Sequence, residues 1–264
     1  TGLFTFGNGS ARNLSFTTSI TRDSRGINPI FPTYGANFSL SAKFSLPYSL
    51  WNGIDYKNLK NDPEYKLKFV SNTYSYTANE NGEIPLPGDY IAETYSGSGI
   101  YRKVYSASDA ALNQAKYDQK RFSWLEFYKI KFTTDSYTKL FSIGKQPLVL
   151  RTKAEFGFLG AYNDSRGVIP FERFFVGGSG LANYSLDGRD IIQLRGYPDN
   201  SLSSTDGGTI YNKYSMELRY PITLKQTASI YALTFVEAGS AYSSFRTFDP
   251  FKMQRGAGVG LRVY

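Results

Sequence analysis

The sequence predicts an all-β chain, part of an antiparallel transmembrane β-barrel with long extracellular loops. Three observations carry this. The 22 Tyr and 20 Phe among 264 residues far exceed what a soluble domain of this size usually holds, yet mean hydropathy is negative at −0.36. No run approaches the ~18 apolar residues that a membrane helix needs. Several segments alternate apolar and polar residues with period two, as strands between lipid and a water-filled lumen must. A soluble all-β protein would rarely keep so uniformly polar a face opposite so apolar a one.

The strands follow in order. From Leu14 to Thr21, Leu14, Phe16 and Ile20 share one face while Ser15, Thr17, Ser19 and Thr21 share the other. A turn with Gly26, Pro29, Pro32 and Gly35 leads to 36–46, where Phe38, Leu40, Ala42, Phe44 and Leu46 oppose Asn37, Ser39, Ser41, Lys43 and Ser45. Alternation returns over 124–141, with Tyr128, Ile130 and Phe132 against Lys129, Lys131, Thr133 and Asp135. It continues over 148–160 (Leu150, Ala154, Phe156 against Arg151, Lys153, Glu155) and 211–220 (Tyr214, Met216, Leu218 against Lys213, Glu217, Arg219). Residues 229–240 are mixed. The last segment, 256–264, sets Ala257, Val259 and Leu261 against Gly258, Gly260 and Arg262.

Two connections are too long for hairpins. Residues 47–121 hold ten of the 22 tyrosines, and Ser106 to Tyr117 reads as a short helix. Tyr gives contact area at low entropic cost, so this loop is expected to be an ordered surface cap and a site for partner proteins; a disordered insertion is the alternative. Residues 162–210 are the second. Connections of about fifty residues are functional or disordered, and Phe174, Phe175, Leu181, Ile191, Ile192 and Leu194 argue against disorder. The loop is expected to fold against the barrel interior. Its Gly177-Gly178-Ser179-Gly180 lacks the GK[ST] of a phosphate loop and reads as a turn. Asp187 and Asp190 read as turn caps rather than a cation site.

Composition narrows the chemistry. Cys and His are both absent, which removes disulfides, thiolate chemistry, His-based triads and nearly all zinc sites. No catalytic residue, metal or cofactor is assigned. The net charge of +8 is scattered, with no basic run above two residues. It suits a rim or lumen meeting anionic lipid or an unfolded chain, and nucleic acid is not assigned. The start, TGLFTFGNGS, lacks the charged and apolar regions of a signal peptide. Seven strands cannot close a single-chain barrel of even count. The chain is therefore expected to be a fragment.

The stretch FERFF-x-GG-x-GL…SLDGRDII-x-LRGY (171–197) resembles the sixth extracellular loop of the BamA family, in its Bacteroidetes-type version. The resemblance also covers SITRDSRGINPIFPTYG (19–35), KFSLPYSLWNGIDY (43–56), LVLRTKAEFGFLG (148–160), MELRYPI (216–222) and FVEAGSAY (235–242), in the family's order. It implies a portion of a sixteen-stranded barrel, about seven of sixteen strands. It also implies a bacterial outer-membrane location and the work of folding and inserting other barrel proteins. The implied partners are unfolded outer-membrane proteins, accessory lipoproteins and surface factors, lipid and lipopolysaccharide. A related secretion pore, a passive porin or nutrient-binding barrel, and an outer-membrane enzyme are the alternatives.

The resemblance further implies that Arg195, in the triad Arg195-Gly196-Tyr197, reaches into the lumen and is held by acids at Glu217 and Glu237, where the family often has Asp at the second position. The hairpin pattern adds its own argument. A turn centred on residue 227 sets Glu217 and Glu237 directly opposite each other, and two like charges across a ladder need a cation between them. The planar fork of Arg195 suits two carboxylates. The alternative is a solvated Arg195, with Lys213 and Arg219 neutralising the acids.

Overall fold

The computed structural model describes residues 10–26, 28–70, 75–95, 100–178, 189–225 and 228–264. Its strands are β1 (Ser15–Asp23), β2 (Tyr34–Ser45), β3 (Ser75–Thr77), β4 (Tyr90–Tyr95), β5 (Ile100–Val104), β6 (Tyr128–Ile143), β7 (Gln146–Gly160), β8 (Phe174–Val176), β9 (Asp190–Ile192), β10 (Ile210–Lys225), β11 (Ala228–Tyr242) and β12 (Gln254–Val263). Seven of them form one antiparallel sheet in the order β1-β2-β6-β7-β10-β11-β12, the wall of a partial β-barrel. Consecutive wall strands are always neighbours, so the chain runs up and down without crossing over.

The two faces of the wall follow the sequence alternation. Phe38, Leu40, Phe44, Ile130, Tyr214 and Met216 are exposed on the outer side, as lipid-facing residues of a barrel are. On the inner side Lys129, Asp135, Lys213, Ser215, Glu217, Arg219 and Glu237 are buried. An apolar cluster of Phe31, Tyr137, Val149, Tyr231 and Leu233 shares this face, with the Phe31 and Tyr231 rings edge-on at 5.3 Å. The mixed reading of 229–240 has its cause here: Tyr231 and Leu233 belong to this cluster, so the first half of β11 is apolar on both faces.

Connection lengths divide by end. At one end Gly144 and Lys145 join β6 to β7, β10 passes to β11 with Lys225 paired to Ala228, and the ten residues 24–33 join β1 to β2. At the other end lie 46–127, 161–209 and 243–253. The two longest connections share one end, in keeping with the longer loops that outer-membrane barrels carry on one side.

Two expectations need correction. The strand expected from 124 begins at Tyr128, because Trp124 and Leu125 pair with Arg12 instead. The helix expected over 106–117 lies at Gln114–Arg121 (α1). Asn113 caps it by accepting from the Lys116 N–H at 3.1 Å, whereas Ser106 to Ala110 is held in turns by Asp109 N–H to Ser106 O and Ala110 N–H to Ala107 O. A side-chain acceptor at the N-cap decides where such a helix starts. The described residues of 47–121 also include a small sheet, β3-β5-β4, that no alternation announces.

That segment belongs to a second compact unit, residues 1–14, 47–126 and 163–167. Its core includes Tyr56, Leu59, Tyr65 and Tyr117. Arg166 is buried within it, donating to the carbonyls of Arg121 (2.9 Å) and Trp124 and pairing with Glu126 at 3.7 Å. Three of the ten tyrosines thus serve packing.

Spin labels at Phe38, Ile130, Phe156 and Leu218 in the reconstituted barrel are expected to collide with oxygen dissolved in lipid. Labels at Ser41 and Lys153 are expected to respond to a water-borne relaxant. The opposite pattern at either set would mean the faces are inverted.

Candidate functional site: a loop docked on the inner face of the wall

The loop between β7 and β10 places residues 168–178 and 189–209 against the wall. Its two short strands, β8 and β9, pair in parallel, with Phe174 against Asp190 and Val176 against Ile192. Phe174, Phe175, Val176, Ile192 and Leu194 are buried, each aliphatic or aromatic side chain worth about 1.5–3 kcal/mol on burial. The Phe174 ring packs 4.7 Å from that of Tyr211 on β10. A Cβ on Gly157 of β7 would collide with both rings, at 2.2 Å from Tyr211 and 2.7 Å from Phe174. Only a residue without a side chain admits the loop there.

Arg195 stands at the centre of the docked loop. Its Nη2 donates to Glu217 Oε1 at 2.7 Å and to Glu237 Oε1 at 2.6 Å. Its backbone N–H donates to Glu237 Oε2 at 3.0 Å. The two carboxylates are 1% and 3% exposed. The register differs from the expected one. Glu217 faces Phe235, and Glu237 faces Ser215, so the acids are diagonal neighbours. A bulge between Pro221 and Thr223 moves the ladder by one residue, and the turn pairs Lys225 with Ala228. Pro221 has no N–H for a ladder, and β10 has already parted from β7 beyond Arg219. The diagonal gap is bridged by one nitrogen rather than by a fork. The flat guanidinium instead lies 3.6 Å above the Phe235 ring, the residue that the shifted register brings opposite Glu217.

The acids have other partners too. Arg219 binds Glu217 Oε2 through Nε at 2.9 Å, and Arg151 reaches the same oxygen at 3.3 Å while gripping Asp135 with two bonds of 2.8 Å. Lys213 lies 3.7 Å from Glu237. Neutralisation by wall cations and bridging by the loop arginine therefore coexist. The rings of Tyr137 and Tyr231 sit 5.5 and 5.4 Å from the Arg219 guanidinium, limiting the water around the network.

Gly196 and Tyr197 complete the triad. Gly196 has φ +92°, open to glycine and strained for other residues. The Tyr197 hydroxyl donates to Arg255 O on β12 at 2.7 Å. Opposite Glu237 in the ladder is Gly256, where a Cβ would lie 2.5 Å from the Arg195 carbonyl oxygen. The loop backbone thus rests directly on the backbone of β12.

A second anchor escaped the sequence reading. Glu172 binds Lys43 of β2 and, at 3.0 Å, Lys129 of β6. Asp190 binds Lys131 at 2.7 Å and Lys129 at 3.0 Å. Asp190 is therefore an ion-pair partner and not a turn cap. Glu172 holds a left-handed φ of +62°, a conformation costly for a residue with a Cβ and kept by the two lysines. Burial pushes both carboxyls up, but their lysines outweigh it and hold both below the usual carboxylate range. The signal lay in the inward lysines of β2 and β6, which exceed the acids on those strands. Gly177 and Gly178 adopt positive φ, as a turn requires; Ser179, Gly180, Leu181 and Asp187 lie outside the described residues.

Arg195→Ala is expected to loosen the loop by about 1.5–3 kcal/mol, the worth of charged hydrogen bonds, read as faster proteolysis within 168–209 while the wall stays folded. Arg195→Lys restores only part, since an ammonium stacks poorly on Phe235. Gly256→Val gives a similar loosening with every charge intact. For the second anchor the sign is that of depressed carboxyls. Its stabilisation is complete above the ordinary carboxylate pKa of about 4 and fades as pH falls through the lowered values of Glu172 and Asp190. Loop protection against an acid-active protease should drop there, and Lys43→Met with Lys129→Met and Lys131→Met should remove most of that drop.

No curated protein matches the chain. The Omp85 superfamily domain matches residues 107–264, which run from the second compact unit through β6 and the docked loop to β12. That match spans more than half of the chain, and with the antiparallel wall it makes the chain a member of the Omp85 superfamily of outer-membrane barrels.

Proposed function

We propose that this chain is the barrel portion of an outer-membrane protein assembly factor of the BamA type, one that folds and inserts other β-barrel proteins into the bacterial outer membrane. The observation that carries the proposal is the loop 162–210 anchored on the inner wall by Arg195 at Glu217 and Glu237. A barrel that only passes solutes gains nothing from a plug tied by a buried three-centre charge contact. A protein that must hold its own wall in register beside a client strand does. The work is mechanical and needs no cofactor and no covalent step, so no enzymatic activity is assigned. Unfolded barrel proteins are the clients. Accessory lipoproteins and surface factors meet the 47–121 segment on the extracellular side, and lipid and lipopolysaccharide surround the wall.

A related secretion pore of the same superfamily shares the docked loop and is the competing reading. Depletion of the protein in its host, with complementation by parent or Arg195→Ala, separates the two. For an assembly factor, folded outer-membrane barrels, scored by their heat-modifiable mobility on gels, fall several-fold on depletion, and the variant restores them only in part. Unchanged barrel levels, with a secreted protein trapped inside the envelope, would establish the pore instead.

A further inference from the structure

We propose that the connection 24–33 between β1 and β2 is an inward-folded seal, closed by Phe31, that shuts the inner side of the wall at its turn end independently of the docked loop. This goes beyond the assembly reading and holds equally for a secretion pore. Phe31 is 1% exposed, and Pro32 beside it is buried too. Phe31 completes an apolar layer with Tyr137 of β6, Val149 of β7, and Tyr231 and Leu233 of β11. These four wall residues face inward, each in the half of its strand nearer the turns.

The reach of the connection makes it a seal rather than a plain hairpin turn. Three strands, β6, β7 and β10, separate β2 from β11, so β11 lies about 19 Å along the sheet from β2 at ~4.8 Å per strand step. Phe31 precedes the start of β2 at Tyr34 by only three residues, a span of at most about 10 Å. The Phe31 and Tyr231 rings still meet edge-on at 5.3 Å. The connection must therefore leave its own edge of the sheet and cross the inner face towards β11. Its backbone is built for this. Ser24 N–H to Ala36 O at 2.8 Å and Gly26 N–H to Tyr34 O at 3.2 Å extend the β1–β2 ladder. Asn28 Oδ1 then accepts from the N–H groups of Ile30 and Phe31, at 3.0 and 3.1 Å. Pro29 and Pro32 fix φ on either side of the ring.

What the seal does follows from what it borders. Tyr137 and Tyr231 belong to the apolar layer and also flank the Arg219 guanidinium, and the Tyr137 hydroxyl donates to Asp135 Oδ2 at 3.2 Å. The layer thus bounds the inner charge network on the turn side, while the docked loop bounds it through Arg195. An ion crossing the layer would have to shed its water among aromatic and aliphatic groups, which an apolar constriction forbids. A route along the inner face of this wall is closed twice, by segments that enter from opposite ends. Unseating the loop 162–210 alone leaves it shut, and a client chain can thread past this wall only when both segments move.

The test measures potassium chloride conductance of the full-length protein in planar lipid bilayers. Arg195→Glu sets a third carboxylate between Glu217 and Glu237 and drives the loop off its seat, and Phe31→Ala opens the apolar layer. Each single variant should conduct little more than the parent, and the double variant several-fold more, as two closures in series require. Arg195→Glu combined with Phe31→Leu should stay closed, because an aliphatic side chain still fills the layer. Conductance by that pair equal to the double variant's would mean general loosening of the wall and overturn the proposal. So would free conductance by Arg195→Glu alone, or a double variant that stays closed. A second readout serves if Phe31→Ala misfolds. Phe31→Cys should react with a water-borne maleimide many-fold more slowly than Ile30→Cys, whose position on the same connection is 36% exposed. Equal rates would put residue 31 in water and sink the seal.

Discussion

Two buried carboxylates on neighbouring strands are the constraint around which this wall is arranged. Glu217 and Glu237 face inward, almost wholly shielded from water, and neither belongs there without a cation. Wall residues supply part of the charge: Arg219 and Arg151 at Glu217, Lys213 at Glu237. The contact joining the two acids comes from the loop between β7 and β10, through one nitrogen of Arg195. Breaking one side of such a cluster leaves the other charge stranded, which is why buried pairs are costly to disrupt even when their net contribution to stability is small.

Much of the fold was legible in the alternation of residues. Six of the seven wall strands and their inward and outward faces follow from period two, because a wall between lipid and an aqueous or polar interior enforces it. What stayed illegible has particular causes. β11 reads as mixed because Tyr231 and Leu233 build an apolar cluster on the face that is polar elsewhere. The small sheet β3-β5-β4 is too short and too irregular for any period to emerge.

The site was legible in part, and its geometry for a different reason than expected. The sequence singles out Arg195, Glu217 and Glu237, but a turn that pairs Lys225 with Ala228 and a bulge at Pro221 are both invisible to a count of residues. The shift makes the acids diagonal and brings Phe235 under the guanidinium, turning a two-pronged grip into a stacked, single-atom bridge. Glu172 and Asp190 were hidden because their partners sit on strands distant in sequence, Lys43 and Lys129 among them. The bare inner face of β12 is meaningful only once the loop is seen resting on Gly256.

The two anchors carry opposite signs. The loop offers acids to lysines on β2 and β6 and a base to glutamates on β10 and β11. A segment seated the other way round would set acid against acid and lysine against arginine, a repulsion at both ends at once. The pattern works as a key with asymmetric teeth: charge alone selects one orientation of the plug before any close packing forms. Because such attraction acts over distances longer than van der Waals contact, the loop can find its seat while the wall around it is still closing.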